Sequence, residues 1–181
     1  MKKVNLSFLM FSVILGLAAA SASSDNGRRR RFEAELKGIN EVGTGIGAVS
    51  TVASGSFRAT LSGDGTTISY RLRYSDLEEE ITQAHIHVGQ FHTAGGISVW
   101  LCKTDALPGP TPDLTPLCPG ARSGVVEGTL TAANVIGPAG QGIDVGEFAE
   151  LARLMRSGVT YANVHSTKFP GGEIRGQIRE D

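Results

Sequence analysis

The sequence predicts an all-β fold, a β-sandwich or Greek-key barrel of about seven or eight antiparallel strands with one short α-helix near 145–157. Three observations predict it. Apolar and polar residues alternate in short runs, Gly-rich turns separate those runs, and helical periodicity occurs only once.

Phe32, Ala34 and Leu36 alternate with charged residues as a first strand, followed by a Gly-rich loop at 43–47. Ser56–Leu61 places Phe57, Ala59 and Leu61 on one face. The turn Gly63-Asp64-Gly65 returns the chain as Thr67–Tyr74, where Ile68, Leu72, Tyr70 and Tyr74 share a face; this reads as a hairpin. Ile81–Val88, Ile97–Cys102 and Gly124–Leu130 are the next strands. Asp144 and Glu147 resemble a capping box, Phe148, Leu151, Leu154 and Met155 follow helical spacing, and Gly158 is a natural stop.

The last strands form the most informative stretch. Tyr161, Asn163 and His165 line one side of a strand, with Ala162 and Val164 on the other. After Phe169-Pro170-Gly171-Gly172 the alternation resumes, with Glu173, Arg175 and Gln177 against Ile174, Gly176 and Ile178. Pairing the two as a hairpin brings Asn163 to Arg175 and His165 to Glu173. Upstream, His85 and His87 stand on one face of Ala84–Gly89, with Ala84, Ile86 and Val88 on the other.

Residues 1–22 read as a secretory signal. Lys2 and Lys3 precede the apolar run Leu6–Ala20, and Ala20-Ser21-Ala22 supplies the small residues of a cleavage site. The apolar run is short for a membrane span. The mature chain of about 160 residues suits a single domain, 32–181, behind a flexible basic stub at 23–31. Export leaves it periplasmic or secreted, without a transmembrane segment. The formal net charge of −1 argues against nucleic acid, while the Arg28–Arg31 cluster offers a contact for an anionic surface. Cys102 and Cys118 bracket a Pro-rich loop; in an oxidising compartment they form a disulfide rather than a redox or zinc motif.

Ala84-His85-Ile86-His87-Val88-Gly89, the segment Gly128–Val135, and Tyr161–His165 with Phe169–Gln177 together resemble the chordin-type CHRD domain. The similarity spans roughly Phe32 to Arg179. It implies an immunoglobulin-like sandwich or barrel in an exported protein, of the small bacterial type whose partners are unknown. An extracellular or envelope protein or surface fits that setting. Chordin's growth-factor binding belongs to Cys-rich modules and is not implied here.

Two histidines at i and i+2 on a strand can reach one metal ion, and a histidine from a neighbouring strand completes a half-shell. Cu,Zn superoxide dismutase presents copper ligands in a similar way. His85, His87 and His165 are the natural trio, with His92 or Glu173 available as a fourth, and copper or zinc as the ion. The competing reading is a structural polar network of Asn163, Glu173, Arg175 and Gln177 with the imidazoles. No Gly-x-Ser-x-Gly elbow appears, Glu78-Glu79-Glu80 lacks the spacing of a calcium loop, and the Gly-rich turns do not open helices. Trp100 reads as packing near the disulfide or as a stacking platform. The sequence therefore favours a non-enzymatic binding or structural module with no assigned catalytic residue. The alternative is a Cu/Zn-binding protein, with superoxide dismutase-like activity as its enzymatic form.

Overall fold

A computed structural model describes residues 27–42 and 47–181; the signal segment, residues 23–26 of the basic stub and most of the 43–47 loop lie outside the described residues. The chain runs β1 (Arg30–Lys37), β2 (Ser54–Leu61), β3 (Ile68–Ser75), β4 (Ile81–Val88), β5 (Ile97–Cys102) and β6 (Gly124–Leu130). Helix α1 (Phe148–Arg156), β7 (Thr160–Ser166), β8 (Ile174–Gln177) and a short β9 (Arg179–Glu180) follow. All strand pairs are antiparallel, in the order β5-β4-β7-β8-β1-β2-β3-β6, with β9 added to β1.

One sheet thus rolls into a nearly closed barrel, rather than two sheets facing each other. The alternating apolar residues meet inside it: Phe32 and Leu36, Phe57 and Leu61, Ile68 and Leu72, Ala84 and Ile86, Ala162 and Val164, and Ile174. The open seam lies between β5 and β6. Tyr70 closes part of it by donating its hydroxyl to Leu101 O at 2.6 Å. To do so its ring passes over Gly128, its register partner on β6, where a Cβ would stand 2.6 Å from the Tyr70 hydroxyl. A glycine is required at that crossing for steric reasons alone.

Helix α1 buries Phe148, Leu151 and Met155 against the same core, as the spacing predicts, with Ala152 beside them, while Leu154 is only partly buried. It begins at Phe148, later than the capping pattern suggests. Glu147 does bond back to the Asp144 N–H at 2.7 Å, but it is itself the N-cap, and Asp144–Glu147 forms a separate turn. Gly158, at φ +67°, ends the helix. Cys102 and Cys118 are joined by a disulfide with Cα atoms 5.0 Å apart, which ties the loop after β5 to the barrel. The first strand takes in Arg30 and Arg31, so half of the basic cluster belongs to the sheet, and Arg30 pairs with Glu180 at 2.6 Å. Among the described residues no helix is long and apolar enough to cross a membrane.

Candidate functional site

Strand β4 sits between β5 and β7, and its alternation sends Ala84 and Ile86 into the core. His85 and His87 therefore project from the opposite, outer face of the sheet. Cross-strand register sets their neighbours. His85 lies beside Trp100 of β5 and Asn163 of β7, and Asn163 lies beside Arg175 of β8. His87 lies beside Tyr161, which lies beside Gln177. His165, opposite Gln83, is the diagonal neighbour of His85, a separation that ring side chains span.

These outer-face side chains are not exposed. His85, His87 and His165 are 0%, 8% and 6% accessible. The connection after β4, the 167–172 turn and the loop between the cysteines cover this end of the sheet. Gly109 of that last loop, at φ +69°, lies against the Trp100 indole, so a Cβ there would stand 2.8 Å from the ring. Trp100 in turn packs edge-on against His85, with ring centroids 4.4 Å apart. A register shift between Ala84 and His85 explains this placement: Cys102 pairs with Ala84 while Trp100 pairs with His85. Trp100 and Cys102 therefore do not act as a simple alternating pair.

The three imidazoles converge. One ring nitrogen from each lies within 4.8 Å of the others. His85 Nδ1 is 3.2 Å from His165 Nε2, close to the edge of roughly 3.3 Å expected between nitrogens sharing a tetrahedral zinc. Backbone carbonyls hold two of the rings by the other nitrogen. His87 Nδ1 lies 2.9 Å from Gly95 O, and His165 Nδ1 lies 2.9 Å from Pro170 O. A carbonyl only accepts, so both rings carry the proton on Nδ1 and present an Nε2 lone pair.

Burial holds all three imidazoles neutral. Desolvation pushes His85 well below the usual histidine range, with the neighbouring His165 and His87 adding to the effect. It brings His87 down to about 4 and lowers His165, in each case against a carbonyl bond that favours the proton. A neutral imidazole is the form that binds metal. Moreover, His85 Nε2 and His87 Nε2 are buried without any hydrogen-bond partner. Buried polar atoms are nearly always paired, so two unpaired nitrogens in one cluster require an explanation.

Neither candidate for a fourth ligand joins the group. Glu173 is fully buried, but its oxygens accept from Thr51 Oγ1 at 2.9 Å, the Glu78 N–H at 2.8 Å and Ser166 Oγ at 2.5 Å. The expected approach of the Glu173 side chain to His165 is thus not found. Three donors on the Ser166 side satisfy the carboxylate, while the Nδ1 of His165 is already held by Pro170. His92 is exposed at φ +63° and packs against Phe91, with ring centroids 3.9 Å apart.

The expected pairing of Asn163 with Arg175 is present. Arg175 has its guanidinium 3.4 Å from the centre of the Tyr161 ring and donates to Gln90 O, and Tyr161 stacks on His87 with centroids 4.8 Å apart. Gln177 donates to the carbonyls of Gly89 and Gly158. Glu41 is a residue that sequence reasoning missed. It is buried after β1 and accepts from the Asn163 amide at 2.5 Å. Burial raises its pKa to about 7, against the lowering effects of Arg175 and Asn163. No local pattern marks it, because its partners are more than a hundred residues away in the chain.

The CHRD domain model matches residues 32–178, almost the whole of the described barrel and every residue of this cluster. The chain belongs to the CHRD domain family. No curated protein and no solved structure gives a significant match. Within this CHRD domain, the Ala84–Gly89 strand and the Tyr161–Gln177 hairpin are the two segments that build the histidine face.

Proposed function

We propose that this CHRD domain is an exported, non-enzymatic binding module whose covered outer face holds a copper or zinc ion through His85, His87 and His165. The observation that carries the reading is the state of the trio. Three buried, neutral imidazoles converge, two with their tautomer set by a carbonyl, and two nitrogens have no partner. Buried polar atoms without a partner are uncommon in a purely structural network. Although Thr82, Ser98, Thr160 and Gln177 also keep one unpaired oxygen each, only the two nitrogens share a cluster. An ion held by His85 Nδ1, His87 Nε2 and His165 Nε2 would supply the missing partner of His87 and link β4 to β7.

A second reading is favoured by the 3.2 Å approach of His85 Nδ1 to His165 Nε2. It makes the trio a hydrogen-bonded lock of the fold. Metal analysis separates the two. After equilibration with Cu(II) or Zn(II) and desalting, the wild-type chain should retain about one ion, as expected for a preformed three-imidazole site. His85→Ala/His87→Ala should retain almost none, and His92→Ala should behave as wild type. Trp100, the one tryptophan of the chain, reports occupancy by quenching. Equal metal content in wild type and the double variant would leave the lock as the function of the trio.

A further inference from the structure

We infer that the trio is a monovalent copper site, selective for Cu(I) over Zn(II). This deepens the metal-binding reading and rests on it. Three independent features point the same way.

The first is the donor set. Among the described residues the cluster comprises three imidazoles and no carboxylate or thiolate. Glu173, the nearest carboxylate in sequence to His165, is engaged by Thr51, Ser166 and Glu78. Imidazole by itself suits zinc and copper alike, so number and charge decide. With three imidazoles, zinc needs a water or another fourth ligand to complete its shell, and the trio is covered, whereas Cu(I) is satisfied by two or three.

The second is charge. The cost of burying an ion rises with the square of its charge, and an anionic ligand is the usual compensation. Here every ligand is neutral, and all three sit at 0–8% accessibility. A neighbouring cation adds to the penalty: the Arg175 guanidinium lies on Tyr161, and Tyr161 stacks on His87. Glu41 bonds to Asn163 rather than joining the trio. A divalent ion would carry its full charge into this site; a monovalent ion carries half.

The third is the second set of contacts. A metal-bound histidine donates its other ring N–H to a carboxylate, a backbone carbonyl or a water, and of these only the carboxylate brings negative charge. His87 and His165 donate to the Gly95 and Pro170 carbonyls. Those acceptors fix orientation without adding negative charge.

The test is competition on the intact mature chain in oxygen-free buffer with ascorbate. Cu(I) is delivered from its bicinchoninate complex, and Zn(II) is then added in tenfold excess. The expected result is one Cu(I) per chain that zinc does not displace, with affinity higher for Cu(I) by more than about a hundredfold, since imidazole suits both metals and geometry must then decide. Displacement of Cu(I) by zinc would overturn the selectivity and leave the metal site standing. Binding of neither ion would overturn the metal site itself.

Discussion

The barrel has two unlike halves. In β1 and β3 every second residue faces solvent, and the outer face carries Glu33, Arg58, Arg71 and Glu127 side by side across four strands. In β4, β7 and β8 the outer face is covered as well. Every residue of β7 is buried, including Asn163 and His165. Both halves share the same inner packing. They differ in what the outer face costs: an exposed charged row is solvated, whereas a covered polar row must find partners within the protein. Most of the covered side chains do find them; Thr82, Ser98, Thr160 and Gln177 each keep an unpaired oxygen, and the two unpaired imidazole nitrogens are set apart from these by lying in one converging cluster.

The largest expected effect comes from removing a covered partner. Glu173→Ala would remove the acceptor shared by the Ser166 hydroxyl, the Thr51 hydroxyl and the Glu78 N–H. A loss of about 3 kcal/mol or more is expected in urea unfolding, since hydrogen bonds to a charged group and buried unsatisfied donors are both costly. Because Glu173 faces away from the trio, the folded fraction should bind metal as wild type does. Loss of metal with stability retained would reverse the assignment and return Glu173 to the site.

Next in size is the pH dependence of the metal-free protein. The unfolded chain protonates its histidines near their ordinary value of 6.5, while folded His87 resists until about pH 4. The unfolded state therefore binds more protons in that window, and stability falls as pH drops through it, by on the order of 3 kcal/mol for His87 alone. Depressed His85 and His165 act in the same direction. Glu41 acts oppositely. Its folded carboxyl keeps the proton to about pH 7 against an ordinary value of 4.5, so its contribution is lost as pH rises through that range. Glu41→Gln should steepen the rise in stability between pH 4.5 and 6.5. A profile with the same slope in both proteins would show that Glu41 does not titrate in this window.

The same contrast explains what was legible in the sequence. Alternation in β1, β2 and β3 fixes an inner and an outer face, and the core follows from it. The His-x-His strand and the closing hairpin were legible for the same reason, and the pairing of Asn163 with Arg175 follows from the hairpin. The misses all come from non-local or irregular geometry. Glu173 leaves its alternating face because donors from Thr51 and Glu78, remote in sequence, attract it. Trp100 meets His85 through a register shift that no period-2 pattern contains. Glu41 is recruited by a β7 amide. Helix α1 starts late because Asp144–Glu147 closes its own turn first.

The smallest expected effect belongs to the open half, and it tests whether the contrast is one of burial rather than of charge. Arg71 pairs with Glu127 directly across β3 and β6, yet both side chains are about 60% exposed. Arg71→Ala should cost no more than about 0.5 kcal/mol, because exposed ion pairs exchange one solvated state for another. It should also weaken further in high salt, where the pair is screened. The neighbouring Arg58, opposite Arg71 in the register, gains from losing a like charge, which offsets part of the cost. A cost comparable to that of Glu173→Ala would mean that the charged row holds the barrel together as firmly as the covered face does. The orphaned imidazoles would then lose their standing as the feature that sets one half apart.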